Sequence, residues 1–397
     1  MDIFTKCYEP SLADEVRKGG IYPYFHALES RQDTEVIMEG KRRIMLGSNN
    51  YLGLTTHPEV IEAGIRAFEQ FGSGCSGSRF LNGTLSMHLE LEDELARFLR
   101  KEAVVTFSTG FQSNLGIISA IVGRGDYIVM DRENHASLYD ACRLSYGKML
   151  RFRHNDMEDL EKKLQSVPDN AGALIVTDGV FSMGGDIADL PTICRLAREY
   201  GARVMVDDAH GLGVIGEGGR GTASYYGLED EVDIYMGTFS KSLASLGGYM
   251  AASERVVDYV RHSSRPFIFS ASITPASCAA ALTALKILEN HPELPETLQQ
   301  RALFMRRKLR DANIRMRESN GEMIPIIPIY TYETIQTLTI AKELYDRGVY
   351  VNSSLPPAVA PNECLLRTSL MATHTEALIE EAVDIIADVL QEHEIGE

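Results

Sequence analysis

Short apolar runs alternate regularly with helical patterns between residues 87 and 263. Apolar positions spaced three and four residues apart indicate helices, and short apolar runs bounded by turn residues indicate buried strands. Their alternation implies βαβ units, and hence a mostly parallel sheet covered by helices on both faces. The predicted strands are 103–107, 127–130, 173–177, 203–206 and 234–236, and the predicted helices are about 87–100, 112–123, 157–166, 191–200 and 255–263.

The length of the chain and a change of pattern near residue 290 predict more than one domain. At 397 residues the chain is too long for a single compact core. The segment 291–295 contains two prolines that interrupt a long helix, and the remainder reads as helix, strand, helix, strand, helix. We predict an N-terminal arm over residues 1–50, a large domain over 51–290 and a small α+β domain over 291–397.

The composition limits the possible binding partners and the possible cellular location of the protein. The formal net charge is −17, from 56 acidic and 39 basic side chains, which argues against nucleic acid as a partner. The six cysteines are widely spread, without zinc-site spacing, as expected for reduced thiols in a cytoplasmic protein. Residues 1–6 lack a secretory signal pattern, and no run approaches the roughly 18 apolar residues of a membrane span, so we expect no transmembrane segment.

Two polar segments directly follow predicted strands, where ligands bind in parallel sheets. Asp207, Asp208 and His210 follow the strand 203–206. A carboxylate there could pair with a buried cation, although a helix cap, a turn or a metal site would use the same residues. Lys241 lies between two serines after the strand 234–236. Desolvation would lower its pKa and let it form a Schiff base, whereas the alternative is an ordinary solvated lysine.

Two further loops follow predicted strands. In the loop 108–114, Gly110 would let the backbone approach a ligand, and the next helix would offer N–H groups to an anion; helix capping alone is the alternative. His135 follows the strand 127–130 and could lie flat over a bound ring, although a lone histidine is more often structural. The G-x-G-x-x-G pattern at 216–221 lies too far beyond its strand to indicate dinucleotide binding. The glycine-rich loop 72–79 could shape a substrate entrance or form a simple turn.

The order of these segments resembles the large domain of fold-type I pyridoxal-phosphate (PLP) enzymes, and more narrowly the α-oxoamine synthases. That family joins an amino acid to an acyl-CoA with loss of CO2. The resemblance extends over essentially the whole chain and implies a mostly parallel seven-stranded sheet, a smaller α+β C-terminal domain, PLP as cofactor and a homodimer with shared active sites. The segments that carry it are 48–54, 72–79, 134–137, 207–211, 237–241 and 366–369.

The resemblance also implies a role for each site residue. Lys241 would hold PLP as a Schiff base and later take the α-proton of the substrate, and Asp207 would keep the pyridine nitrogen protonated. His210 and Ser182 would contact the phenolic oxygen, and His135 would stack on the ring. The catalytic residues are then Lys241, His135 and Asp207; the cofactor-binding residues are Gly110, Phe111, His135, Ser182, Asp207, His210, Thr238, Ser240, Lys241 and, toward the partner subunit, Ser270 and Ala271; the substrate-binding residues are Asn50, His135 and Arg367; and no metal is expected.

The residues next to Lys241 indicate which substrates the enzyme uses. Phe239-Ser240-Lys241-Ser242 resembles the branch of the family that uses L-serine and palmitoyl-CoA, as does Pro356-Pro357-Ala358. Leu355 stands where some bacterial members have arginine, which leaves open how this loop grips a substrate carboxylate. We therefore predict a PLP-dependent acyltransferase that makes 3-oxosphinganine, CoA and CO2, the first step of sphingolipid synthesis. The alternatives are a glycine-using relative such as 2-amino-3-oxobutyrate CoA ligase, 8-amino-7-oxononanoate synthase, a non-catalytic homologue, and a metal-dependent hydrolase.

Overall fold

A seven-stranded sheet dominates the computed structural model, which describes residues 2–395. The strands are β1 Glu35–Met38, β2 Lys41–Met45, β3 Ala103–Phe107, β4 Tyr127–Asp131, β5 Lys148–Phe152, β6 Ala173–Asp178, β7 Arg203–Asp207, β8 Ile234–Thr238, β9 Gly248–Ala252, β10 Ile326–Tyr332, β11 Val349–Tyr350, β12 Asn352–Ser354 and β13 Cys364–Ser369. The large sheet has the order β3-β9-β8-β7-β6-β4-β5, and β9 is antiparallel to both of its neighbours. The remaining neighbours are parallel, which confirms the predicted sheet.

Helices cover the sheet and connect its parallel strands. They are α1 Thr5–Tyr8, α2 Leu12–Lys18, α3 Pro58–Phe71, α4 Ser86–Leu99, α5 Gly110–Ile121, α6 Ala136–Leu144, α7 Met157–Gln165, α8 Leu190–Glu199, α9 Thr222–Tyr226, α10 Glu254–Ser263, α11 Arg265–Ile268, α12 Pro275–Asn290, α13 Glu293–Asp311, α14 Thr334–Arg347 and α15 Glu376–Glu392. Several begin at a capping side chain: Thr109 accepts from the backbone N–H of Gln112, and Asp156 from that of Asp159. His291 and Pro292 separate α12 from α13, as the prolines of the segment 291–295 predict.

The strands of the large sheet are buried on both faces. Val129, Ile175 and Val206 belong to one apolar cluster, whereas Ile128, Val176 and Met205 belong to a second cluster. Successive side chains of a strand point to opposite faces, so the two clusters lie on the two sides of the sheet. This double burial explains why the strands read as continuous apolar runs rather than as alternating patterns.

Two three-stranded sheets lie outside the large one. One has the order β10-β13-β12, and the other, β1-β2-β11, joins residues 35–45 to the C-terminal part of the chain. The boundaries at residues 50 and 290 stay predictions. Within residues 2–395 we find no helix with the length and apolar character of a membrane span.

Candidate active site

The carboxyl ends of the parallel strands surround a cavity of about 290 Å³. This is the edge of the sheet at which a ligand site is expected. Its lining residues are Thr109, Gly110, Phe111, Asn114, His135, Ser137, Asp178, Val180, Asp207, Ala209, His210, Met236, Thr238, Ser240, Lys241 and Leu246. Eight residues that the sequence analysis assigned to the cofactor are therefore brought to one cavity: Gly110, Phe111, His135, Asp207, His210, Thr238, Ser240 and Lys241.

Lys241 lies on the cavity wall just beyond β8. Burial lowers the pKa of its amine to about 8, with Arg367 acting in the same direction and the carboxylate of Asp207 opposing them. A lysine with this pKa is unprotonated in about a tenth of molecules at pH 7, compared with fewer than about one in a thousand for a solvated lysine. The cavity therefore contains an amine that can act as a nucleophile.

Asp207 ends β7 and is held by two hydrogen bonds. The side-chain amide of Asn114 donates to its Oδ2 at 2.7 Å, and the backbone N–H of Ala209 donates to its Oδ1 at 3.1 Å. Asp178 ends the neighbouring strand β6 and pairs with Asp207 in register. Burial, together with the charge of Asp207, raises the pKa of Asp178 well above its usual range. Asp207 is therefore a buried carboxyl group held in a fixed position at the end of β7, beside the cavity.

The two cavity histidines are neutral at physiological pH. Burial, reinforced by the charges of Lys241 and Arg367, holds the pKa of His210 well below its ordinary value. Burial also lowers the pKa of His135, against the attraction of Asp207. Nδ1 of His135 lies 2.7 Å from Oγ of Ser137, which fixes the ring beside the cavity. A neutral imidazole can cover an aromatic ring or donate a single hydrogen bond without adding charge.

One end of the cavity is suited to a phosphate group. Helix α5 begins at Gly110, so the free N–H groups of its first turn lie at the cavity. A Cβ atom on Gly110 would lie 2.9 Å from Oγ1 of Thr238, so only glycine allows this approach. Oγ of Ser240 lies 2.9 Å from the same Thr238 hydroxyl. Hydroxyl groups, backbone N–H groups and an enclosed lysine together fit the phosphate and aldehyde of PLP.

Arg367 belongs to β13 of the sheet β10-β13-β12, which we call the C-terminal sheet, and it is not among the residues that line the cavity. It is connected to the cavity residue His210 through the hydroxyl of Tyr51. The Arg367 Nε donates to the backbone carbonyl of Ser182 at 2.6 Å, and its Nη2 donates to Oδ1 of Asn49 at 3.1 Å. Ser182 likewise does not line the cavity and is connected to the site through this hydrogen bond. Asn50 lines a more open cleft of about 690 Å³, which also includes Ser240 and Lys241. The cleft therefore shares Ser240 and Lys241 with the cavity.

Ser270 and Ala271 do not line the cavity of their own chain. They lie in a small recess behind Ser108, where Nε2 of Gln112 donates to Oγ of Ser270 at 2.7 Å and Oγ of Ser108 donates to the carbonyl of Ala271. Their predicted contact with the partner subunit's cofactor stays a prediction.

The alternative of a metal site built from the acidic pair does not fit the geometry. The Asp208 carboxylate accepts hydrogen bonds from the backbone N–H and the hydroxyl of Thr222, at 2.7 and 2.6 Å, whereas Asp207 accepts from Asn114. Burial raises the pKa of Asp208 to about 6, although the bonds from Thr222 oppose this. The two carboxylates therefore serve separate hydrogen-bond networks.

Several polar residues in or beside the cavity had no role in the sequence analysis. Asn114 and Ser137 lie in the motifs around Gly110 and His135, and Tyr51 lies in the segment 48–54. Asp178 was missed because the predicted strand stopped one residue earlier, although the strand-end rule that selected Asp207 applies to it equally.

The fold and this constellation define a fold-type I PLP enzyme. The chain matches the family described as Aminotransferase class I and II over residues 41–386. It is 50% identical over 385 residues to the serine palmitoyltransferase of Sphingobacterium spiritivorum, covering 97% of this chain and 96% of that protein. A solved structure of SPT with a PLP internal aldimine has a TM-score of 0.96 at 36% identity, covering 100% of both chains. An 8-amino-7-oxononanoate synthase of Geotalea daltonii is 41% identical, covering 95% and 96%.

The chain therefore belongs to the aminotransferase class I and II family, and within it to the serine palmitoyltransferases. The identity to those relatives exceeds that to the 8-amino-7-oxononanoate synthase. Its cofactor is PLP, and it is an enzyme of the PLP-dependent acyltransferase type. The sequence-based predictions of family, fold class and cofactor are confirmed.

Proposed function

We propose that this enzyme condenses L-serine with a long-chain acyl-CoA, palmitoyl-CoA in the first instance, to give 3-oxosphinganine, CoA and CO2, the first step of sphingolipid synthesis. The observation that carries the proposal is the enclosed amine of Lys241, whose pKa burial lowers to about 8, in one cavity with the Asp207 carboxylate. The 50% identity to a serine palmitoyltransferase supports this choice of substrates over those of the sister enzymes.

Lys241 would act twice in the reaction. It would first hold the cofactor through its amine, and after the amine of the substrate has displaced it, its Nζ would accept the proton from the substrate α-carbon. A pKa of about 8 suits both tasks, because the unprotonated amine is populated near neutral pH. PLP, when bound, supplies an electron sink for the charge that develops on the α-carbon.

The other cavity residues would bind and orient the cofactor. Asp207, fixed by Asn114, would favour a protonated pyridine nitrogen, because an adjacent carboxylate stabilises the cationic form. The N–H groups of Gly110 and Phe111 and the hydroxyls of Thr238 and Ser240 would hold the phosphate. His210 and Ser182 would contact the phenolic oxygen, and His135 would cover the ring and meet the substrate carboxylate.

Arg367 would bind the carboxylate of serine, together with Asn50 and His135. Two of its guanidinium nitrogens are engaged by Ser182 and Asn49, whereas Nη1 makes no hydrogen bond to any residue in the described part of the chain. A rigidly held guanidinium with one free nitrogen is prepared for an anionic ligand. Leu355, in place of an arginine, would leave Arg367 as the main cation for this carboxylate.

We further propose a homodimer in the cytoplasm. The segment Ser270–Ala271 is exposed in part and is held against the glycine-rich loop, where Ala271 bridges to Ser78. It could therefore meet the phosphate in a partner subunit, as the family resemblance implies. All six cysteines are free thiols, which supports a reducing compartment.

Replacing the lysine tests the central claim. Lys241→Ala is expected to abolish the visible absorbance of the bound cofactor and to leave only traces of turnover, because Lys241 is the one lysine among the described residues that line the cavity. The control is Lys286→Ala, which removes a partly exposed lysine whose ion-pair partner within the described part of the chain is Glu90. Retention of both the absorbance and the turnover in Lys241→Ala would refute the proposal.

Substrate titrations separate the related activities. Serine is expected to change the cofactor absorbance at lower concentration than glycine, and palmitoyl-CoA, unlike acetyl-CoA, is expected to release CO2. Preference for glycine and acetyl-CoA would instead indicate a 2-amino-3-oxobutyrate CoA ligase. A protein that stays colourless after addition of PLP would indicate a non-catalytic homologue, and loss of activity with a chelator would revive the metal-dependent hydrolase.

A further inference from the structure

Tyr51 contacts both His210, which we assign to the phenolic oxygen of the cofactor, and Arg367, which we assign to the substrate carboxylate. Its side chain is completely buried. Its hydroxyl oxygen lies 2.7 Å from Nδ1 of His210 and 3.4 Å from Nη2 of Arg367. His210 follows β7 of the large sheet, and Arg367 belongs to β13 of the C-terminal sheet. One hydroxyl group therefore contacts both halves of the site.

The direction of these hydrogen bonds follows from the groups involved. A guanidinium only donates, so the Tyr51 oxygen accepts from Arg367. The phenol has one proton to give, and the contact with His210 at 2.7 Å is much shorter than the one with Asn49 at 3.4 Å. Burial raises the pKa of Tyr51, although Arg367 opposes this, so the phenol keeps its proton. Tyr51 therefore donates to Nδ1 of His210.

This donation determines the state of the imidazole. His210 is neutral, since burial holds its pKa well below the ordinary value, so it has a single ring proton. With Nδ1 accepting from Tyr51, the proton must reside on Nε2. His210 lines the cavity, and its Nε2–H group is then available to donate to an oxygen of a bound ring.

We propose that Tyr51 is a positioning residue that fixes His210 in the Nε2–H tautomer and at the same time holds the guanidinium of Arg367. The inference deepens the proposed function, on which the assignments of His210 and Arg367 rest. Losing the hydroxyl would free Nδ1 to carry the proton, so that His210 would present an acceptor to the phenolic oxygen. It would also remove one of the contacts that hold Arg367 in place.

The test begins with the wild-type protein without cofactor, labelled with ¹⁵N-histidine. The ring resonances of His210, assigned by comparison with His210→Gln, are expected to show an unprotonated Nδ1 and a protonated Nε2. An Nδ1–H tautomer in the wild type would overturn the proposal, whether or not any Tyr51 variant folds. This measurement needs neither PLP nor substrate, so it is independent of whether the proposed reaction takes place.

The substitution Tyr51→Phe keeps the buried ring and removes only the hydroxyl. It is expected to give His210 a mixture of tautomers and, in the enzyme with PLP, to raise the dissociation constant for serine by about tenfold, the effect of one lost hydrogen bond to a charged group. The matched control is Tyr235→Phe, which removes another buried phenol, whose hydroxyl donates to the backbone carbonyl of Glu229 at 2.8 Å. The control is expected to change neither quantity.

Three results would contradict the positioning role. His210 resonances unchanged in Tyr51→Phe would refute the tautomer assignment, and an unchanged serine affinity would refute the link to Arg367. An equal loss of serine affinity in Tyr235→Phe would show a general structural effect. If the wild-type enzyme itself fails to respond to serine or to palmitoyl-CoA, the proposed function fails, whereas the tautomer of His210 remains separately measurable.

Discussion

His154 lies in a cluster of charged side chains. Its Nδ1 is 3.2 Å from both carboxylate oxygens of Asp131, and its Nε2 is 3.5 Å from Asp186 and 3.8 Å from Glu133. Arg317, which precedes β10 of the C-terminal sheet, contacts Asp186 at 3.3 Å and Glu133 at 3.1 Å. Although burial alone lowers the pKa of His154, these carboxylates raise it from 6.5 to about 9.

The shift stabilises the folded protein at low and neutral pH. The folded pKa lies above the unfolded value, so the stabilisation is complete below about pH 6.5 and is lost as the pH rises through about 9. A difference of about 2.5 units corresponds to about 3 kcal/mol at about 1.4 kcal/mol per unit. His154→Gln, which removes the charge, is therefore expected to lower the free energy of unfolding by about 3 kcal/mol at pH 6 and by far less at pH 10.

The assay is urea unfolding of wild type and His154→Gln at both pH values, together with an NMR titration of the His154 ring. Subtracting the variant from the wild type cancels other titrating groups. Lys241 is one of them, because its lowered pKa makes the folded state gain stability as the pH rises from about 8 to 10.5, in the opposite direction. A ring titration midpoint near 6.5, or an equal loss of stability at both pH values, would refute this account of the cluster.

Two further substitutions test the proposed phosphate site at Gly110 and the hydrogen bonds of Asp208 beyond β7. Gly110→Ala is expected to weaken PLP binding by at least about tenfold without unfolding the protein, because the new Cβ would lie 2.9 Å from Thr238. The control is Gly64→Ala, whose new Cβ would have its nearest neighbouring atom at 3.8 Å. Cofactor fluorescence measures PLP binding in both variants. Thr222→Val removes the 2.6 Å hydrogen bond to buried Asp208 and is expected to cost about 2 kcal/mol in urea unfolding; a change below about 0.5 kcal/mol would show that the backbone N–H suffices.

The sequence predicted five of the seven strands of the large sheet and missed the edge strand β5 and the buried strand β9. The five predicted strands correspond to β3, β4, β6, β7 and β8. The edge strand β5 pairs only with β4 and carries exposed Lys148 and Arg151, so it has no continuous apolar run. The strand β9 begins with Gly248, where a Cβ would lie 2.8 Å from Cα of Gly110. Its small residues reflect close packing against α5 rather than β propensity.

The contacts that assemble the site could be predicted only in part, because they join residues far apart in the chain. The rule that ligands bind at strand ends selected Asp207 and the loops around Lys241 and His135 without any knowledge of contacts. No spacing rule connects Tyr51 with His210, 159 residues later, or Ser182 with Arg367, 185 residues later. The first pair joins the segment after β2 to the loop after β7, and the second joins the loop after β6 to β13.

The position of Arg367 has a functional consequence. Arg367 is anchored to the large domain by the carbonyl of Ser182 and contacts Tyr51, which in turn contacts His210. One chain of hydrogen bonds thus positions both Arg367, the group proposed to bind the substrate carboxylate, and His210, the group proposed to bind the cofactor oxygen. This chain joins β13 to the loop after β7. A shift of β13 relative to β7 would disturb both groups together. Substitutions that loosen the contact of Arg367 with Tyr51 should therefore affect serine binding and the cofactor spectrum in parallel. Substitutions at the proposed phosphate site around Gly110 should instead affect cofactor binding first.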